Sequence, residues 1–266
     1  MPSLILIAAL AAAPPATSVA LAPLQIDPDW TRIQDFPVRP QQIELADVDG
    51  DGDRDLVAVT EDEGRLYWYA NDGTGVFAKG VIIASDLLSP MGMVVADFDL
   101  DGDVDIAALS EESGLISLHR NLGGGAFGTT ETVATLNLPK QIAGHDIDGD
   151  GVQDLVVAYG TNTSGLTWLQ NLGGSFSAPQ IIPIAGVSVR SFTAADLDAD
   201  GMVDLVIGDA NGARFDVHYG LGGGQFGAPT QLALGRPDPM GVEAADMDGD
   251  GDLDLVTAAR SSGGSD

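Results

Sequence analysis

The chain has 266 residues, and with 44% of them hydrophobic it carries enough apolar side chain to bury a core, which excludes a wholly disordered polymer. Eleven basic residues against forty acidic ones give a formal charge of −29, a field that repels nucleic-acid phosphates and anionic membrane surfaces. Cysteine is absent, so disulfides, thiolate metal sites and a cysteine nucleophile are excluded.

Taken from the N-terminus, the apolar run Leu4 to Ala13 is followed by the small residues Ser18-Val19-Ala20. This pattern predicts a signal peptide over residues 1–20, cleaved after Ala20, and hence a protein that is secreted or held at the cell surface. Met1-Pro2-Ser3 lacks the basic residue that usually opens such a peptide. The run is too short to span a bilayer, and no later stretch is apolar for long enough to do so. Residues 21–266 read as one repeat domain.

Five segments of that domain share the pattern D-x-D-x-D-G-x-x-D, at 47–55, 97–105, 146–154, 196–204 and 246–254. Their first aspartates lie 50, 49, 50 and 50 residues apart, a regularity that marks a structural repeat. Phe77, Phe127, Phe176 and Phe226 each fall 30 residues after the first Asp of their repeat, behind glycine turns. Aromatics recurring once per repeat are expected to fill the same packing niche between neighbouring units.

The alternation of carboxylates predicts calcium, a hard cation that takes six to eight oxygens, with about one ion per repeat and up to five in all. Positions 1, 3, 5 and 9 supply carboxylates: Asp47, Asp49, Asp51 and Asp55; Asp97, Asp99, Asp101 and Asp105; Asp146, Asp148, Asp150 and Asp154; Asp196, Asp198, Asp200 and Asp204; Asp246, Asp248, Asp250 and Asp254. Position 7 (Asp53, Asp103, Val152, Met202, Asp252) is expected to add a backbone carbonyl, which tolerates any side chain. Position 6 is always Gly, as a sharp turn at positive φ demands. Four carboxylates this close repel one another without a cation, so ion binding and folding are expected to be coupled.

An EF-hand needs a Glu at position 12 and a helix behind the loop. Here position 12 is Ala58, Ala108, Val157, Ile207 or Thr257, and short apolar runs such as Leu155-Val-Val-Ala follow. Those runs predict strands. Within the second repeat, four strands are expected at Met93 to Ala96, Ile106 to Leu109, Leu115 to Arg120 and Thr129 to Ala134. Four short strands per repeat of about 40–50 residues predict an all-β fold, a β-propeller of four-stranded blades. Leu166 and Trp168 share one face of the third strand and Thr167 and Leu169 the other, so both faces are expected to meet neighbouring blades.

These residues resemble the FG-GAP or VCBS repeats, related to the propeller repeats of integrin α-chains, over residues 40 to 260. The resemblance implies calcium in the loop between the first two strands of each blade. It further implies an extracellular part in adhesion or recognition, with a protein or carbohydrate ligand. After the fifth loop only enough chain for one more strand remains, so the last blade is incomplete; Trp30 to Val38 could lend it an outer strand, and the chain reads as part of a larger protein.

Catalytic signals are weak, and the chain reads as a binding module and not an enzyme. His119 and His218 take equivalent places on third strands, where Tyr69 and Trp168 stand in other repeats, so repeat packing explains them. His145 replaces the Ala that precedes the other four loops and is expected to line a central channel. No nucleophile elbow, zinc-ligand pair or phosphate loop is present. The alternative is a polysaccharide lyase on a calcium-stabilised propeller, which needs a basic cleft that eleven scattered Lys and Arg do not reveal. Asn162-Thr-Ser164 is a glycosylation sequon.

Overall fold

A computed structural model describes residues 5–9, 39–160, 165–184, 187–232 and 238–260. Trp30 to Val38 and the sequon at 162–164 lie outside the described residues. Among the described residues the fold is all-β, with no helix.

The first blade consists of Pro40–Ala46, Asp55–Thr60, Arg65–Tyr69 and Val81–Ala84. The second is Pro90–Ala96, Asp105–Ser110, Leu115–His119 and Glu131–Thr135, within three residues of each boundary that the sequence predicts. The third is Pro139–His145, Asp154–Tyr159, Gly165–Leu169 and Gln180–Ile182, and the fourth is Val189–Ala195, Asp204–Asp209, Arg214–His218 and Thr230–Leu232. Each is an antiparallel meander in which sequence neighbours are sheet neighbours, except that in the fourth a separate hairpin of Gly220–Gly222 and Gln225–Phe226 lies between the third and fourth strands. The fifth has Asp238–Ala245 and Asp254–Arg260. Beside the latter, Ile5–Ala9 runs antiparallel, Ile5 opposite Ala259 and Ala9 opposite Leu255.

Stacking of the blades follows from the two-residue period of a strand. Second strands are buried along their whole length in the first, second and fourth blades and up to Tyr159 in the third. In the second, third and fourth each face meets a different neighbour, while Leu56 and Ala58 of the first are covered by that blade's own Tyr67 and Tyr69. Val57, Val59 and Leu66 of the first blade pack with Met93, Ile106 and Ala108 of the second. On the opposite face of the second, Ala107, Leu109, Ile116 and Leu118 meet Ile142, Leu155, Val157 and Leu169 of the third. The third blade's Val156, Leu166 and Trp168 meet Phe192, Leu205 and Ile207 of the fourth, and Val206, Phe215 and Val217 meet Val242 of the fifth. Leu166 and Trp168 therefore face one neighbour and Leu169 the other, as their alternation predicts.

Three of the four repeated phenylalanines close these interfaces, and Phe77, expected to do the same, does not. Phe127 packs into the core between the first and second blades, Phe226 into that between the third and fourth, and Phe176 sits edge-on to Phe98 with ring centroids 5.5 Å apart. Phe77 packs on the outer face of the first blade, against Tyr67 and Tyr69.

First strands carry a bulge at a repeated place, where the register slips between Pro40 and Gln42, Pro90 and Gly92, Pro139 and Gln141, Val189 and Ser191, and Pro239 and Gly241. Proline suits the first residue of a strand, where its missing N–H leaves no ladder bond unmade, and the bulge adds local twist. Side chains of these strands, among them Glu44, His145, Thr193 and Glu243, line a cavity of about 550 Å³ together with Gln153 of the third acidic loop. Glu243 is pushed above the ordinary carboxylate range by burial and by the Glu44 charge.

Candidate metal centres

Each acidic loop joins the first strand of its blade to the second. The turn at position 6 is made by Gly52, Gly102, Gly151, Gly201 and Gly251 at φ between 86° and 98°, a region that a Cβ would strain. That turn brings the position-6 N–H back onto the first carboxylate, with Asp47 Oδ2 accepting from Gly52 at 3.0 Å and Asp146 Oδ2 from Gly151 at 2.8 Å. Position 5 accepts from the position-7 N–H, for example Asp101 from Asp103 at 2.9 Å.

Position 9 is both a candidate ligand and an anchor. Asp55, Asp105, Asp154 and Asp204 are buried at the start of their second strands. Oδ2 accepts the position-2 N–H of the same loop, from Val48 to Asp55 at 3.0 Å, Ile147 to Asp154 at 3.1 Å and Leu197 to Asp204 at 2.9 Å. Oδ1 accepts a backbone N–H from the turn after the third strand: Asn71, Asn121, Asn171 and Gly220, at 2.7, 2.8, 2.7 and 2.7 Å. Burial nevertheless pushes the Asp105 and Asp154 carboxyls up to about 6, the Asn121 and Asn171 N–H groups pulling the other way.

In every loop the oxygens of positions 1 and 3 converge. They are joined by position 9 in Asp47–Asp49–Asp55, Asp146–Asp148–Asp154 and Asp196–Asp198–Asp204, and by position 5 in Asp97–Asp99–Asp101 and Asp246–Asp248–Asp250, each set within 4.8 Å. These clusters could hold a metal ion. The donor set is entirely hard oxygen, and in the second loop Asp99 Oδ1 and Asp105 Oδ2 are buried without a hydrogen bond, as oxygens awaiting a cation would be. Position-7 side chains stand apart from the clusters. Asp53, Asp103 and Met202 lie against the glycine turns at Gly73, Gly123 and Gly222, which leaves a backbone carbonyl as their possible contribution.

Several residues around the loops were not singled out in the sequence. Arg120 Nη1 lies 2.6 Å from Asp99 Oδ2 and 3.9 Å from Asp105 Oδ2, and Gln170 Nε2 lies 2.6 Å from Asp148 Oδ2 in the third loop. Asn121 and Asn171 each reach the loop of the preceding blade, and Gln42 and Gln141 each clasp the first strand of the following one. The Asn recurs at a fixed place in the first three repeats and could have been found by aligning them.

The histidines fall where repeat packing puts them. His119 is buried between Ser117 Oγ at 3.1 Å and Thr130 Oγ1 at 3.3 Å, and burial pushes it down to about 4. His218 Nδ1 donates to the Gly227 carbonyl at 3.1 Å. His145 lines the central cavity and is held below the ordinary imidazole range by burial.

Stacked four-stranded blades, each with an acidic loop between its first two strands, define a β-propeller with repeated candidate metal loops. The FG-GAP-like repeat model matches residues 47–108, 97–157, 146–207 and 196–257, and the chain belongs to that family. No curated protein matches it by sequence. Among solved structures it is similar to an Agrocybe aegerita lectin described as specifically recognising non-reducing terminal N-acetylglucosamine, with 25% identity, a TM-score of 0.55, and coverage of 70% of this chain and 50% of that one. The chain thus spans about half the lectin's length. The fold is also shared with BBS1N, solved in complex with ARL6DN, at 16% identity and a TM-score of 0.50, covering 79% of this chain and 61% of that one. No helix among the described residues is long and apolar enough to cross a membrane.

Proposed function

We propose that the chain is a calcium-loaded recognition module that works outside the cell, without catalysis, and binds a carbohydrate or protein ligand. The observation that carries this reading is the convergence of oxygen donors within 4.8 Å in all five loops, with no nitrogen or sulfur donor among them. Such sets suit calcium over softer ions, with the position-7 carbonyl and water completing the shell. Family membership and the lectin likeness support recognition as the task of the surrounding loops. Export with cleavage after Ala20 would release the Ile5–Ala9 strand, leaving the edge of Asp254–Arg260 to pair with another segment.

The test is a glycan array probed with the purified chain in calcium and in chelator, together with a depolymerisation assay on uronic-acid polymers. Calcium-dependent retention of a glycan set, with no polymer cleavage, is the expected result. Cleavage above background overturns the non-catalytic reading, and retention indifferent to chelator overturns the role of calcium.

A further inference from the structure

The first three acidic loops are physically chained through two asparagines. Asn121, in the second blade, donates from Nδ2 to the Val48 carbonyl of the first loop at 2.7 Å, 73 residues away, while its backbone N–H holds Asp105 of the second loop at 2.8 Å. Asn171, in the third blade, repeats this arrangement one unit on. Its Nδ2 donates to the Phe98 carbonyl of the second loop at 2.8 Å, and its N–H holds Asp154 of the third at 2.7 Å. Both residues are buried, and each Oδ1 caps its own glycine turn, accepting from Gly123 at 3.1 Å and Gly174 at 2.9 Å. The amide nitrogen and the amide oxygen of each side chain are thereby both engaged.

Val48 and Phe98 are the position-2 residues, flanked by the ligand candidates Asp47 and Asp49, and Asp97 and Asp99. Fixing their carbonyls fixes the peptide between two carboxylates that must converge. The chain of contacts stops at the fourth blade. There Gly220 keeps the N–H bond to Asp204 at 2.7 Å but has no side chain with which to reach the third loop. A Cβ at that position would lie 2.5 Å from the Val203 carbonyl oxygen.

We propose that Asn121 and Asn171 are positioning residues that couple cation binding across blade boundaries, so that loops one, two and three bind cooperatively while loop four binds independently. This rests on the reading of the loops as calcium sites. In the third loop Asp154 belongs to the converging set, and in the second Asp105 lies outside the set with its Oδ2 buried and without a hydrogen bond. A cation that neutralises either loop settles that Asp, which sets the Asn, which pre-orders the loop of the blade before. Reciprocity of linkage makes the effect run both ways.

The test is hydrogen exchange of the full chain at stepped free calcium, with a protection midpoint read separately for peptides covering 47–55, 97–105, 146–154 and 196–204. Asp101→Asn, which cripples the second loop, is expected to raise the first loop's midpoint about tenfold, within the range usual for coupled sites, and to leave the fourth unmoved. In an Asn121→Ala background, or Asn121→Ser should Ala not fold, the same Asp101→Asn change is expected to leave the first loop where it is. A direct structural effect of residue 121 would shift the first loop by itself but would not abolish its response to the second, which is what the double-mutant cycle separates. A first loop indifferent to Asp101→Asn while still protected by calcium overturns the coupling alone. A chain in which calcium protects no loop overturns the calcium reading and the coupling with it.

Discussion

Arg120 Nη1 stands 2.6 Å from Asp99 Oδ2, a fixed cation set against the third position of the second acidic loop. The guanidinium also pairs with Glu131 at 3.0 Å and donates to the Gly174 carbonyl of the third blade, so it is held by its neighbours and not by the loop alone. At the equivalent place Gln170 makes a neutral contact with Asp148. Replacing Arg120 with Gln is therefore expected to tighten calcium at the second loop, by a few-fold to about tenfold, since a competing charge leaves a partly buried site. Loop-resolved hydrogen exchange against calcium concentration checks this. A weaker second loop in Arg120→Gln would show that the arginine supports the site by packing more than it opposes it by charge.

Chelation is expected to lower the melting temperature steeply. Binding to the folded state alone contributes about 2.7 kcal/mol per site at a hundredfold excess over the dissociation constant. Asp150→Ala and Asp101→Ala should each remove close to one calcium from the stoichiometry measured by calorimetry. A full complement of ions in either variant would remove position 5 from the ligand set.

His119 supplies a pH dependence that a variant isolates. Burial pushes the imidazole down to about 4, against 6.5 for the free group, so the unfolded chain takes up a proton at a higher pH than the folded one. As pH falls from 6.5 toward 4 the unfolded state is increasingly favoured, and folding stability is lost, by up to about 3 kcal/mol. His119→Gln should therefore lose less stability than the parent chain across that window. Urea titrations of both proteins at pH 7 and pH 4.5 give the comparison, and parallel losses would count against a buried neutral imidazole.

Gln141 clasps the first strand of the fourth blade, donating to the Phe192 carbonyl at 2.8 Å and accepting from the Phe192 N–H at 3.1 Å. Gln141→Ala leaves both backbone groups without that partner and is expected to cost about 1–3 kcal/mol. Gln41→Ala, which removes an exposed contact with Glu61, is expected to cost under about 0.5 kcal/mol. Chemical denaturation of the two variants side by side separates clasp from surface.

Export can be read directly. Protein recovered from culture medium is expected to begin at Leu21, seen as an intact mass. Retention of residues 1–20 in the mature protein would favour their use as a strand, through Ile5–Ala9, over their use as a signal.

The amino-acid sequence by itself determined the repeat and its phase, the acidic loops with their obligatory glycine, and the strands that leave them. These are local matters: alternating carboxylates, a residue free to take positive φ, and apolar runs whose period of two gives each strand two buried faces. The alternation at Leu166 to Leu169 was legible for that reason, as were the packing roles of Phe127, Phe176 and Phe226 and the burial of His119. Only the tertiary structure decided which carboxylates of each loop converge. It alone revealed that position 9 is also tied to the turn after the third strand, that Arg120 leans on Asp99, and that the fourth blade breaks the asparagine chain at Gly220. Bonds such as Asn121 to Val48 and Gln141 to Phe192 span 73 and 51 residues, and they exist only because blades stack face to face. No pattern within a single repeat encodes that, since the partner belongs to the next unit and the contact is set by the angle at which two sheets meet.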